Sequence, residues 1–203
     1  VSILSNISKI YERYMFRQMS EFFESLFSEF QCGFRKGFSA QHCLVSMLEK
    51  WKSAIDNKMS FGALLTDLSK AFDSLSHDLL IAKLNAYGFS LAALRLVQNY
   101  LTNRKQRTKI NSEYSSWEEI VVGVPQDSIL GPLLFNIFMC DLFFIVNNID
   151  FASYADDNTP YATGNCMDDV VLKLENTSKT LFQWFKNNQL NANPEKCHFI
   201  FSS

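Results

Sequence analysis

F-A-S-Y-A-D-D-N-T-P, residues 151–160, places two aspartates side by side at the end of a short run of strand-forming residues. Like charges this close repel, and the pair is costly to hold without a counter-charge. Working outward, Ile149 to Tyr161 reads as strand, turn and strand, with Asp156 and Asp157 in the turn. Asp67 ends a second apolar run, Phe61 to Thr66, which reads as a buried strand. Neighbouring places in one sheet would bring Asp67 beside the Asp156–Asp157 turn, and three carboxylates at one point call for cations. A hard divalent ion such as magnesium takes a few carboxylates plus substrate phosphates. Two such ions roughly 3.5–4 Å apart clamp the attacking and leaving oxygens of a phosphoryl transfer. Aspartate also favours tight turns for local reasons, so the pair alone equally fits an ordinary turn.

The rest of the chain supplies an α+β pattern around one sheet. Ile7 to Phe30 reads as a helix, and Gln31 to Phe38 as a loop with two glycines and the pair Arg35-Lys36. Ser39 stands where a helix N-cap belongs, before the stripe Leu44, Met47, Leu48, Trp51, Ala54, Ile55. His77 to Tyr87 is a helix closed by Gly88, and Ser90 caps another that runs to about Thr102. Gln106 to Ile120 reads as a hairpin turning at Asn111-Ser112. Ser128 to Val146 reads as one long apolar helix with Pro132 in its first turn. Met167 to Asn188 carries the stripe Val170, Val171, Leu174, Leu181, Phe182, Phe185. No repeat or low-complexity segment interrupts the series.

Composition narrows the class. The 203 residues are 47% hydrophobic and 20% charged, enough to bury a core within one domain. A net charge of −2 gives no general attraction to polyanions. A nucleic-acid partner would have to be held locally, and one basic cluster exists: Arg95, Arg104, Lys105, Arg107 and Lys109, with no acid among residues 95–109. The five cysteines follow no disulfide or zinc spacing, and free thiols in a reducing, intracellular compartment account for them. The longest apolar run is broken by Gly131, Pro132, Asn136 and Asp141, which argues against a membrane span. The first residue is Val1 and the last residues continue an apolar run, the pattern of a piece of a longer chain.

Five short words decide between the bland and the chemical reading of the aspartates. They are Q-C-G-F-R-K-G-F-S-A at 31–40, L-L-T-D-L-S-K-A-F-D at 64–73, G-V-P-Q-D-S-I-L-G-P at 123–132, Y-A-D-D at 154–157 and L-N-A-N-P-E-K-C at 190–197. Each is weak alone. In this order and spacing, over about residues 5–203, the chain resembles the reverse transcriptase domain of non-LTR (LINE-type, Jockey-like) retrotransposons. The resemblance implies a polymerase palm, a ferredoxin-like antiparallel sheet with packed helices, over residues 61–203, and a portion of the fingers over residues 1–60. It also implies a longer polyprotein whose thumb and endonuclease domains are absent from these residues.

The implied function is RNA-directed DNA polymerisation. A primer 3′-hydroxyl attacks the α-phosphate of a deoxynucleoside triphosphate on an RNA template, with two Mg2+ ions, or Mn2+ in their place. By the same resemblance Asp67, Asp156 and Asp157 are the catalytic metal-holding acids, and the Leu68 carbonyl is a further ligand. Arg35 pairs with the triphosphate, Phe72 excludes a ribose 2′-hydroxyl and Gln126 lies against the nucleotide. Lys196 stands near the departing pyrophosphate. Arg104, Lys105, Arg107 and Lys109 become contacts to template or primer phosphates.

One departure bears on activity. The family has Pro-Gln-Gly where residues 125–127 are Pro-Gln-Asp. Asp127 adds a side chain and a negative charge beside an incoming polyanion, and a positive φ there would add a backbone penalty. Impaired chemistry is therefore expected of these residues alone. Two other readings stand beside the polymerase. One is a catalytically inactive or domesticated nucleic-acid-binding remnant, against which the retained Asp67, Asp156 and Asp157 argue. The other is a group II intron maturase.

Overall fold

The computed structural model describes residues 5–146 and 149–202. Its centre is a four-stranded sheet of β1 (Ser60–Leu65), β6 (Asp150–Tyr154), β7 (Asp157–Gly164) and β8 (His198–Ser202), in the order β6-β7-β1-β8. All three pairings are antiparallel. The α+β expectation holds, and, with the edge strand β8 left exposed, helices pack on both faces of the sheet. On one, Trp51 of α2 (Ala40–Asp56) stacks on Phe61 with ring centroids 5.0 Å apart. On the other, Val170 and Leu174 of α8 (Met167–Asn187) pack in a cluster with Leu64 and Ala162.

A larger core lies beside the sheet. Its axis is α6 (Gly131–Met139), in which every residue except Pro132 is buried. In one cluster with it lie α1 (Asn6–Phe23), α4 (His77–Ala86) and α5 (Leu91–Leu101), contributing Met15, Met19, Phe23, Leu80, Leu84, Leu94, Val97 and Leu101. Ser76 and Ser90 cap α4 and α5 by accepting from Leu79 and Ala93. The one-turn helix α3 (Ala71–Ser74) follows β1 through Lys70, which has φ +50°.

Two expected helices are shorter in the structure. The reading of Ile7 to Phe30 as one helix is corrected: α1 ends at Phe23, and Ser28 to Gln31 form a turn whose Ser28 and Gln31 carbonyls are bonded by Arg35. Ser128 to Val146 is also not continuous. α6 stops at Met139 and α7 (Leu142–Ile145) restarts the turn. Lys83 explains the break, because its ammonium bonds the Phe138 carbonyl and the Asp141 carboxylate, each at 2.7 Å. Burial pulls the pKa of Lys83 down while Asp141 opposes that pull.

The expected hairpin is present as an arm. Its base pairs β2 (Arg104–Gln106) with β5 (Glu118–Ile120). Its tip pairs β3 (Lys109–Ile110) with β4 (Glu113–Tyr114) around Asn111, which takes the left-handed conformation at φ +54°. All five cysteines are free thiols. Among the described residues no helix is long and apolar enough to cross a membrane.

Candidate active site

Strand register brings the acids together. The β1–β7 pairing runs Ser60 opposite Gly164 to Ala63 opposite Tyr161, and a further bridge sets Thr66 opposite Asn158. The next position in that register sets Asp67 across from Asp157. Asp156 occupies the two-residue turn between β6 and β7, since Tyr154 pairs with Asp157. Ala155, the other turn residue, has φ +57°, the left-handed backbone that tight hairpins demand. Asp157 feels the other two acids. Partial desolvation first, then the charges of Asp156 and Asp67, push the Asp157 carboxyl up, while Lys196 draws it down.

The turn is held from several sides. Asn158 is fully buried. Its Nδ2 donates to the Asp156 carbonyl at 3.1 Å, and its Oδ1 accepts from the Ser153 hydroxyl at 2.9 Å. Thr66 Oγ1 donates to the Asn158 carbonyl at 2.6 Å, tying the end of β1 to the turn. A second brace comes from Gln31–Gly33. The Cys32 amide donates to the Ser153 carbonyl at 2.9 Å, and the Ser153 amide donates to the Phe30 carbonyl at 3.2 Å. A side chain on Gly33 would collide with the backbone of Ala155 and Tyr154, so only glycine allows this approach. Asn136 of α6 donates to the Gly33 carbonyl at 2.6 Å, anchoring the brace to the core.

Lys196 comes to the acids by way of the L-N-A-N segment. The Ser69 amide donates to the Asn191 carbonyl and the Asn193 amide to the Asp67 carbonyl, both at 2.8 Å. These bonds use the carbonyls of Asp67 and Asn191 and leave that of Leu68 outside the bridge. The chain then turns through Pro194–Lys196, and Lys196 Nζ sits 3.1 Å from Asp67 Oδ2. The lysine side chain is 64% exposed and that of Asp67 19%, so the ammonium reaches in from solvent.

A third wall is made by α3 and the G-V-P-Q loop. The Val124 amide donates to the Phe72 carbonyl at 2.8 Å, and Gln126 Nε2 donates to both Asp73 carboxylate oxygens at 3.0 and 3.1 Å. Gly123 has φ +83° and lies so close to Asp73 that a Cβ would meet its carbonyl at 2.6 Å. Phe72 stacks on Phe135 of α6, with centroids 4.6 Å apart. Phe34 bridges the walls, 5.9 Å from Phe72 and 6.3 Å from Tyr154. Asp127 has φ +61°, so the backbone penalty expected of an aspartate at this position applies.

The expected residues therefore separate into groups. Asp67, Asp156, Asp157 and Lys196 share one place, with the backbone of Leu68, while Phe72 and Gln126 form the adjoining wall. Arg35 lies in the loop that follows the brace, and its guanidinium already has protein partners. Its side chain is 7% exposed and paired with Glu24 at 2.9 Å. It also bonds two carbonyls and lies 4.3 Å from the Phe38 ring centroid. Arg104, Lys105, Arg107 and Lys109 lie on the arm. The sequence reading passed over Gly33, Phe34, Asn158 and Glu12. Glu12 is fully buried and accepts from the Ile129 amide at 2.6 Å, fixing the start of α6. A glycine inside Q-C-G-F and an asparagine directly after Asp-Asp were the available signals.

Among the described residues no three His, Cys, Asp or Glu side chains converge as a ready-made metal cage. The donor set still suits magnesium, which keeps several waters and needs one or two carboxylates plus substrate phosphates. Asp67 and Asp157 each lie one step beyond the Thr66–Asn158 bridge, and the Lys196 ammonium stands beside Asp67.

Comparison with known proteins identifies the family. The sequence profile of "Reverse transcriptase (RNA-dependent DNA polymerase)" matches residues 1–203. A Drosophila melanogaster protein described as a probable RNA-directed DNA polymerase from transposon BS is 30% identical over 97% of this chain and 22% of its own length. The RNA-directed DNA polymerase from mobile element jockey of the same species is 28% identical over 97% of this chain and 22% of its own length. The chain thus spans about a fifth of these relatives. Apo telomerase from Candida tropicalis superposes with a TM-score of 0.65 at 10% identity, covering 97% of this chain and 41% of that one. At that identity the likeness speaks for the fold alone.

Proposed function

This chain belongs to the reverse transcriptase (RNA-dependent DNA polymerase) family, of the non-LTR, Jockey-like kind, and on that premise we propose that it is the palm, with part of the fingers, of an RNA-directed DNA polymerase. The single observation that carries this reading is the register that sets Thr66 opposite Asn158, one step from Asp67 and from the Asp156–Asp157 turn. The substrates are an RNA template, a primer 3′-hydroxyl and a deoxynucleoside triphosphate, and the product pyrophosphate leaves as the new phosphodiester forms.

Asp67, Asp156 and Asp157, with the Leu68 carbonyl, are the groups that would hold two magnesium ions. When bound, such ions lower the pKa of the attacking hydroxyl and offset charge on the triphosphate. The protein's own residues position the reactants, the larger part of any phosphoryl transfer. The exposed Lys196 ammonium beside Asp67 is placed to follow the departing pyrophosphate and give it a proton. Phe72, fixed against Phe135, is the wall against a ribose 2′-hydroxyl. Gln126, oriented by Asp73, presents its carbonyl side toward the nucleotide. Arg35 acts through the loop it holds and not by touching phosphate. Arg104, Lys105, Arg107 and Lys109 are contacts to the nucleic-acid backbone. The relatives' greater length leaves room for thumb and endonuclease regions elsewhere in a whole protein of this kind.

Primer extension on an RNA template with magnesium tests the reading. Asp156→Asn lowers incorporation by roughly a hundredfold or more, about 3 kcal/mol at 1.36 kcal/mol per tenfold. Equal extension by the chain and this variant would sink the proposal. Asp127, strained and acidic beside the nucleotide wall, favours a second reading in which the chain binds nucleic acid without copying it. Template binding with no incorporation even after Asp127→Gly would support that one.

A further inference from the structure

The tip of the arm carries an arrangement that two-metal chemistry does not use. Lys109 and Tyr114 are cross-strand partners, so their side chains share one face, while Ile110 and Glu113 share the other. Arg107 joins the first face, its guanidinium 3.9 Å from the Tyr114 ring centroid and 4.6 Å from that of Trp117. Lys109 Nζ is 5.2 Å from Tyr114. Tyr114 is 50% exposed and Trp117 57%, so both residues remain open to solvent beside the Arg107 guanidinium.

The acids nearby are otherwise engaged. Glu113 points to the far face, Ser116 donates to Glu118 at 3.0 Å, and Glu119 pairs with Lys105 at 3.6 Å. Arg107 and Lys109 form no ion pair among the described residues. A purely structural cation–π clasp needs one ring and one cation, and it gains by being covered. Here two cations and two aromatic rings lie open on a strand pair with no buried residue.

We propose that this face, Arg107, Lys109, Tyr114 and Trp117, is a stacking platform for unpaired bases of single-stranded RNA. The cations take the phosphates and the two rings take bases, which every base accepts because each has a π face. The template ahead of the copying site is the strand of this kind that the polymerase reading supplies, and to that extent the proposal rests on it. It assigns roles to Tyr114 and Trp117, which phosphate contact alone leaves without one.

The test is a fluorescence titration of the full chain with oligouridylate. Of the three tryptophans, Trp184 is buried and Trp51 lies stacked on Phe61, so quenching reports Trp117. Single strands quench the emission. Trp117→Ala and Tyr114→Ala each weaken binding, read by anisotropy of labelled RNA, by roughly 5- to 100-fold. Trp117→Phe keeps most of the affinity. Arg107→Ala with Lys109→Ala reduces the slope of log K against log salt by about 1.4, at about 0.7 per phosphate. Unchanged affinity in both ring variants, absence of quenching, or equal affinity for blunt duplex RNA overturns the platform. Melting curves of each variant check that the chain stays folded. The polymerase reading fails separately, on equal primer extension by Asp156→Asn, so the two outcomes are distinguishable.

Discussion

The two polar regions of this molecule are built in opposite ways. At the end of the sheet, the acids are fixed through buried backbone and amide groups: Asn158, Thr66, Ser153 and the Gln31–Gly33 brace. Apart from Gln31 Oε1, which has no partner, these groups are out of water and bonded, so moving one leaves an unpaired polar atom at a cost of about 1–3 kcal/mol. On the arm the charges are held by exposed cation–π contacts and one 3.6 Å ion pair, each contributing about 1 kcal/mol or less. The first region is preorganised for a fixed reaction geometry. The second can yield to a strand of any sequence. Chemistry at one atom needs the former, and gripping a flexible polymer is served by the latter.

The largest effect that would break this contrast is a clash at the brace. Gly33→Val puts branched carbons against the backbone of Ala155, where nothing flexible can give way. Overpacking of this kind costs about 1–3 kcal/mol, and chemical denaturation should show it as a lower midpoint at unchanged slope. Ser112→Val at the exposed arm tip should stay within about 0.5 kcal/mol. Equal effects at both places would mean that the brace is no more constrained than the arm.

How much of this was legible beforehand follows the same division. The strand–turn–strand around Asp156–Asp157 and the strand ending at Asp67 were readable because period, turn residues and apolar runs are local signals. The hairpin turn at Asn111 was readable for the same reason. What escaped depended on distant partners. Lys83 reaches the end of α6 from another helix, and inside Ser128–Val146 only its partner Asp141 gives a local sign of the break. Nothing in Q-C-G-F-R-K announces that Arg35 pairs with Glu24 and bonds the Ser28 and Gln31 carbonyls. Gly33 looked like a loop glycine until Ala155 was found against it. Side-chain type was informative, and side-chain partners were not.

A smaller effect sharpens the contrast through protons. The Asp157 carboxyl is pushed up in the folded chain by desolvation and by Asp156 and Asp67. A raised folded pKa favours the protonated native state, so its stabilisation is present below the ordinary carboxylate range and lost as pH rises through the raised value. A divalent ion should reverse that loss, since it favours the ionised acids. Magnesium is therefore expected to raise the melting temperature at pH 7 by more than at pH 4.5. Asp157→Asn should shrink the difference, and arm variants should leave it intact. An ion effect independent of pH would separate the acids from the ion.

The smallest expected effect concerns Asp127. Its φ of +61° is a conformation that costs a non-glycine residue on the order of 1 kcal/mol or more, although aspartate tolerates it better than most. Glycine removes that strain but gives the unfolded chain more freedom, about 0.5–1 kcal/mol the other way. The two nearly cancel, so Asp127→Gly should change stability by less than about 0.5 kcal/mol. Its effect on nucleotide use should be larger than its effect on folding, because the residue removed is a carboxylate exposed beside Gln126 and not a contact of the core. A fall in KM for the deoxynucleotide without a shift in the denaturation midpoint would assign the cost of Asp127 to charge. A higher midpoint with unchanged KM would assign it to backbone strain, and the strained turn would then count with the arm as a place the active site does not feel.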